Sequence, residues 1–133
     1  MSAASLQGLL QRFFTDRLLG QLGASSHTVA AYRDTFRLLL RFAAAELRRT
    51  PSTLRIEELD AAFLGRFLDH LERGRGNCPR TRNNRLGAVH SFARYVALSE
   101  PALALHCQQV LAIPVKRTGR QPVEFLTEEE SRA

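Results

Sequence analysis

The side chains that could perform covalent chemistry are few in this 133-residue chain, and their spacing builds no catalytic or metal site. Tyr32 and Tyr95 are the only tyrosines, and Tyr32 falls among the apolar positions of a helical pattern, which indicates a core residue rather than a nucleophile. The two cysteines, Cys78 and Cys107, form no metal-binding motif. No two of the four histidines stand at metal or catalytic spacing; they are His27, His70, His90 and His106. The sequence therefore predicts no catalytic residue, no metal and no cofactor.

The residues best suited to binding a ligand occupy one arc of a predicted helix between Asn77 and Tyr95. This arc carries arginines, amides and small residues but no acid: Arg80, Asn83, Asn84, Gly87, His90, Ser91 and Arg94. Arginine and asparagine side chains suit phosphates and base edges. A glycine lets the helix backbone approach a ligand closely. The alternatives are a solvated helix face and, for Gly87, packing against another helix of the same domain.

A second basic arc lies on the long helix predicted before this one. Arg33, Arg37 and Arg41 recur every four residues along it, although like charges at this spacing repel by a few tenths of a kcal/mol per pair. A groove that binds a polyanion would explain the stripe, and an ordinary helix surface in an arginine-rich proteome is the alternative. We expect the stripe and the Arg80, Asn84 and Arg94 face to lie on one exposed side of the domain.

The net charge of +6 is unevenly distributed along the chain. Residues 26–50 carry five basic and two acidic groups, and residues 75–98 carry five basic groups and no acid. Residues 51–74 carry three basic and five acidic groups. A polyanion would therefore meet the first two segments rather than the third.

Apolar residues that recur every three or four positions predict an all-α fold of four main helices, a short fifth helix and short loops. The predicted helices run from Ser5 to about Leu19, from Ser25 or Ser26 to about Arg49, from Asp60 to Gly74, from Asn77 to Tyr95, and from Ala102 to about Leu111. No apolar run reaches the ~18 residues of a membrane span, and the N-terminus lacks the pattern of a signal peptide. We expect a cytoplasmic protein with two free thiols, a disulfide being the alternative.

The helical periodicity ends after the fifth helix. Residues 1–112 are predicted to form the helical domain, and residues 113–126, rich in proline and basic residues, an extended linker. Thr127 and Glu130 then match a capping box. Residues 127–133 are therefore expected to begin a second domain, a frayed tail being the alternative.

Three segments, in this order, resemble the N-terminal core-binding domain of tyrosine recombinases, the phage-integrase and Xer-like family. They are SSHTVAAYRDTFRLLLRF at 25–42, CPRTRNNRLGAVHSFARYV at 78–96 and PVKRTGRQPVEFLTEEE at 114–130. The resemblance covers about residues 5–130. Cys78 and Glu100 depart from it, since a small polar residue and an asparagine are more usual there.

The resemblance implies a SAM-like four-helix bundle that forms half of a two-domain clamp on double-stranded DNA, alongside other recombinase protomers. It places the catalytic Arg, Lys, His and Tyr in a C-terminal domain, of which residues 127–133 would be the truncated start, so this chain should bind DNA without catalysing a reaction. The expected DNA-binding residues are Ser26, Thr28, Arg33, Arg37, Arg41, Arg80, Asn83, Asn84, Gly87, His90, Ser91, Arg94 and Lys116.

Two other functions fit parts of the sequence. A helix-turn-helix transcription regulator would also place a basic helix after a glycine-containing turn, but the turn from Gly74 to Cys78 is longer than that motif uses. A SAM-like protein-interaction module would bind no DNA, even at low salt.

Overall fold

The computed structural model describes residues 5–74, 76 and 78–116, and in this part of the chain the secondary structure is helical apart from one isolated bridge between Ser5 and Arg55. The helices are α1 (Leu6–Arg12), which continues as a π-helix (Phe13–Gln21), α2 (Ser26–Leu47), α3 (Ala61–Gly74), α4 (Pro79–Ser99) and α5 (Ala104–Leu111). Short 3-10 turns lie at Pro51–Thr53, Ile56–Glu58 and Pro101–Leu103. The predicted all-α class, with four main helices and a short fifth, is confirmed.

Some predictions fall on residues that lie outside the described part of the chain. These are the start of a second domain at 127–133 and the linker beyond residue 116. The domain boundaries therefore stay predictions. Within the described residues, no helix is both long enough and apolar enough to cross a membrane.

Local capping signals set the starts of α2 and α3 where the sequence predicted them. Ser25, rather than Ser26, caps α2, because its Oγ accepts a hydrogen bond from the Thr28 N–H at 3.2 Å. Asp60 caps α3 in the same way, its Oδ1 accepting from the Phe63 N–H at 2.8 Å. Pro79 occupies the first turn of α4, where a missing N–H leaves no hydrogen bond unmade.

The first predicted helix was too short, because its second half is a π-helix that runs on to Gln21. More residues fit into each turn of a π-helix than of an α-helix. Phe13 and Leu18, five positions apart, are consequently both buried. Elsewhere the predicted ends were off by a few residues: α2 ends at Leu47, α4 begins at Pro79 and extends to Ser99, and α5 begins at Ala104.

Phe13 is the centre of an aromatic cluster that joins the π-helix to α2 and α4. Its side chain is fully buried. Its ring centroid lies 5.4 Å from Phe92 and 6.2 Å from Phe36, both edge-on, and 6.3 Å from Tyr32, which stacks nearly parallel to it. Tyr32 is half-buried against this core, in agreement with its prediction as a core residue.

The central position belongs to α4, which packs against α2, α3 and α5. Its buried side carries Leu86, Val89, Phe92, Ala93 and Val96, which recur at the three- and four-residue spacing of an apolar helix face. The opposite side of α4 is therefore directed away from the core.

Phe13→Ala should lower the free energy of unfolding by about 3–5 kcal/mol, since it removes a buried ring and leaves a cavity between three helices. Urea denaturation monitored by circular dichroism measures this value. Leu19→Ala is the control: Leu19 lies in the same π-helix but is 56% exposed, so its replacement should change stability by no more than about 0.5 kcal/mol. Similar losses for the two variants would show that the cluster is not central to the core.

Candidate nucleic-acid interface

An open groove of about 690 Å³ separates α2 from α4. The α2 wall comprises His27, Thr28, Ala31, Tyr32, Asp34 and Thr35, and the α4 wall comprises Thr81, Asn83, Asn84, Arg85 and Gly87. Four of the predicted DNA-binding residues meet here: Thr28, Asn83, Asn84 and Gly87. Two regions 50 residues apart in sequence thus share one surface.

Gly87 faces this groove. A Cβ atom built on Gly87 would meet no other atom within 4 Å. The alternative in which Gly87 packs against a neighbouring helix is therefore wrong. A ligand in the groove could approach the α4 backbone at this point without meeting a side chain.

The residues that share a helical face with Gly87 form the predicted polar arc. Residues three, four and seven apart lie on the same side of an α-helix, so Arg80, Asn84, Ser91 and Arg94 are directed to the same side as Gly87. Arg80, Asn84 and Arg94 are exposed, and Ser91 is half-buried. This set, which we call the α4 polar face, contains two cations and no acid.

At the groove, Arg85 ties α4 to α2. Its Nη1 donates to Thr35 Oγ1 at 3.1 Å and lies 2.8 Å from Asp34 Oδ2. The Arg85 side chain is only 19% exposed, and its buried Nε has no hydrogen-bond partner in the described part of the chain. Sequence reasoning missed Arg85, because it lies outside the predicted polar arc and its partners belong to a distant helix.

The start of α2 forms the other wall of the groove. Thr28 is half-buried in its first turn, and Ser26 is exposed at its first position. Backbone N–H groups in the first turn of a helix lack intrahelical partners, and the helix dipole makes this end positive. This end of the wall favours an anion.

The arginine stripe of α2 is not brought into the groove. Arg33, Arg37 and Arg41 are all exposed, but none lines the wall described above. Arg41 instead borders a separate groove of about 280 Å³ beside Phe42 and His70, between α2 and α3. Arg80 and Arg94 do not line this groove either. The arrangement of the two basic arcs on one side of the domain and a DNA-binding role for the stripe therefore stay predictions.

Two of the predicted residues, Asn83 and Lys116, contact each other within the protein. Asn83 is hydrogen-bonded to the backbone of Lys116, and Lys116 Nζ lies 2.8 Å from Glu72 Oε1. His90 is half-buried. Burial lowers its pKa, because the charged imidazolium loses solvation.

The two thiols differ in environment. Cys78 is exposed at the N-cap of α4, with Sγ 3.5 Å from Thr81 Oγ1, and this hydrogen bond is the main cause that lowers its pKa. Cys107 is buried, and desolvation raises its pKa. The predicted pair of free thiols is present, and only Cys78 is accessible.

Comparison with known proteins identifies the family to which this domain belongs. The family described as "Phage integrase, N-terminal SAM-like domain" matches residues 10–99. A protein of Sinorhizobium fredii named "Putative integrase/recombinase y4rC" is 52% identical over 127 residues, which cover 96% of this chain and 38% of that protein. Another from the same organism, "Putative integrase/recombinase y4rD", is 44% identical over 125 residues, covering 94% of this chain and 44% of its own length. The chain thus spans less than half the length of either relative, and no solved structure matches it.

Gly87→Ala should raise the free energy of unfolding by roughly 0.5–1 kcal/mol, because alanine loses less backbone entropy in a helix and its methyl group enters open space. Thermal and urea denaturation measure the change. Gly8→Ala is the control, since its Cβ would lie 2.9 Å from Ser5 Oγ and should disturb the cap of α1. If Gly87→Ala were the destabilising variant, Gly87 could not face an open groove.

Cys78 should react with a thiol reagent such as 5,5′-dithiobis(2-nitrobenzoate) much faster than Cys107 in the folded protein. The reason is that the thiolate is the reactive form, and only Cys78 combines exposure with a lowered pKa. Absorbance should report one rapid equivalent, and a second after denaturation. Cys78→Ser should remove the rapid phase; its persistence in that variant would mean that Cys107 is accessible.

Proposed function

Because the chain belongs to the phage integrase family and comprises its N-terminal SAM-like domain, we propose that it binds double-stranded DNA through the groove between α2 and α4. The observation that carries this proposal is the α4 polar face. It places Arg80, Asn84 and Arg94 on the side where Gly87 leaves the helix backbone open. Such a face can bring a helix close to a polyanion.

The chemistry of this surface suits both kinds of DNA contact. Arg80 and Arg94 can bind phosphates, which fix position without reading sequence. Asn84 offers the donor and acceptor pair that reads adenine in the major groove, and an α-helix fits that groove when no large side chain intervenes. Ser26 and Thr28 lie in the first turn of α2, where the helix dipole favours a backbone phosphate.

The one acid in the groove does not oppose this role. Asp34 is paired with Arg85 at 2.8 Å, so the pair is close to neutral. The electrostatic character of the site is therefore set by the exposed arginines and the α2 terminus.

We extend the proposal to the longer protein of which this sequence would be part. Both relatives are more than twice as long as the matched region. In such a protein a C-terminal catalytic domain would close on the opposite side of the duplex and cut and rejoin strands through a tyrosine, with other protomers bound to the same DNA. The helical domain would then bind and position the DNA without catalysing the reaction.

Gly87→Glu should weaken binding to duplex DNA by about tenfold or more at low salt, since it places a bulky anion where phosphates must approach and like-charge contacts cost several kcal/mol. Fluorescence anisotropy with a labelled duplex measures the affinity. Gly65→Glu is the matched control: Gly65 is also a mid-helix glycine with open space around it, but it lies on α3 and does not line the groove.

Comparing the DNA affinities of these two variants tests whether DNA occupies the groove. Melting curves show whether both variants fold. Equal affinities of the two variants would contradict DNA binding in the groove. Absence of binding by the parent chain at low salt would instead favour a protein-interaction module.

Arg80→Ala and Arg94→Ala should each weaken binding to any duplex and lower the slope of log affinity against log salt by about one, because each would release one phosphate contact. A titration series over several salt concentrations gives the slope. Arg37→Ala tests the stripe on α2 in the same series: an unchanged slope would confine the DNA surface to the groove. If both α4 variants kept the salt slope of the unmodified chain, the α4 polar face would not make phosphate contacts.

A further inference from the structure

The chain after α5 turns back onto α3 and α4 instead of leaving the domain. Asn83 on α4 makes two hydrogen bonds with a single residue of this segment: its Nδ2 donates to the Lys116 carbonyl oxygen at 2.7 Å, and its Oδ1 accepts from the Lys116 N–H at 2.8 Å. One side-chain amide thus satisfies both backbone polar groups of Lys116, in the way that a neighbouring strand would.

A network of charged side chains on α3 and α4 supports the same segment. Arg82 is only 8% exposed, and its Nη1 donates to the Pro114 carbonyl oxygen at 3.3 Å. Its Nε lies 3.7 Å from Glu72 Oε1, the same oxygen that pairs with Lys116 Nζ at 2.8 Å. Glu72 therefore holds one buried arginine and one residue of the returning chain.

Hydrophobic burial does not hold this segment in place. Val115 is 64% exposed, and Pro114 is exposed as well. The polar contacts of Asn83, Arg82 and Glu72 are consequently the interactions that keep residues 114–116 on the domain. A segment fixed mainly through its backbone is held at a defined place.

We propose that Glu72, Arg82 and Asn83 form an anchoring site that fixes where the polypeptide leaves the helical domain. The site binds the backbone of Pro114 and Lys116 and recognises the Lys116 ammonium group through Glu72. Asn83 and its neighbour Asn84 then have different tasks, although both border the groove: Asn83 holds the chain and Asn84 is free for a ligand.

The anchor has a consequence for a longer protein, and this step rests on the proposed function. Because Asn83 and Gly87 lie on the same helix and line the same groove, the anchor fixes the exit of the chain relative to bound DNA. The linker to a following domain would then start from a defined position beside the duplex.

Amide hydrogen exchange on the 133-residue chain, measured by NMR without DNA, tests the anchor. The Lys116 amide should exchange at least about tenfold more slowly than in an unstructured peptide, since it is hydrogen-bonded to Asn83. Asn83→Ala should remove this protection. It should leave α4 intact, because Asn83 is half-buried and alanine is the best helix former; the exchange of the Leu86 and Phe92 amides reports on that.

Two further variants sharpen the result. Lys116→Ala removes only the contact with Glu72 and should reduce the protection at residue 116 less than Asn83→Ala does. Asn84→Ala, one position along α4, should leave it unchanged. Exchange of the parental Lys116 amide at the peptide rate, or full protection in Asn83→Ala, would overturn the anchor. Neither outcome involves DNA, so a failure here is distinct from a failure of the proposed function.

Discussion

The burial of one side of α4 is the constraint on which the rest of the structure depends. Leu86, Phe92 and Val96 are buried, and α4 contacts α2, α3 and α5 at once. A helix of 21 residues that commits one side to a core must present the other side outward. The aromatic cluster around Phe13 completes that core from the N-terminal side. The rotation of α4, fixed by its apolar contacts, therefore decides which polar residues reach the groove.

Two of the arginines on α4 serve the fold rather than its surface. Arg82 and Arg85 are both poorly exposed, and each is paired with an acid from another helix, Glu72 and Asp34 respectively. Charges withdrawn from water are tolerated when they are paired and hydrogen-bonded. The basic charge of residues 75–98 is thus an overestimate of the charge available to a ligand. The exposed cations Arg80 and Arg94 are the part of it on α4 that a polyanion would meet.

The groove and the anchor for residues 114–116 both belong to the SAM-like domain of a phage integrase family member. The groove between α2 and α4 and the anchor for residues 114–116 are both built on α4, on adjacent residues. A single rigid helix would then carry a ligand-facing surface and the point from which the chain continues. Residues 114–116 and the groove therefore keep a fixed position relative to each other, because both are attached to one helix.

Local sequence patterns determined the secondary structure and the division of each helix into buried and exposed sides. The periodicity of apolar residues, the Ser25 and Asp60 caps and Pro79 act over a few residues, so they could be read directly. The α4 polar face was predicted for the same reason, and Gly87 was identified within it. The π-helix was missed, because no local signal distinguishes it from an α-helix.

Tertiary structure alone decided how these faces combine. The Arg85 contacts with Asp34 and Thr35 and the Asn83 contacts with Lys116 join residues 33 to 51 positions apart. None of Arg33, Arg37 and Arg41 lines the groove that this packing forms between α2 and α4, although the sequence predicted a polyanion-binding groove for them. A helical pattern states which side of a helix seeks a core, but the rotation and crossing of two helices depend on how their side chains interlock. Packing of the whole core sets this rotation and crossing, and these determine which polar residues become neighbours.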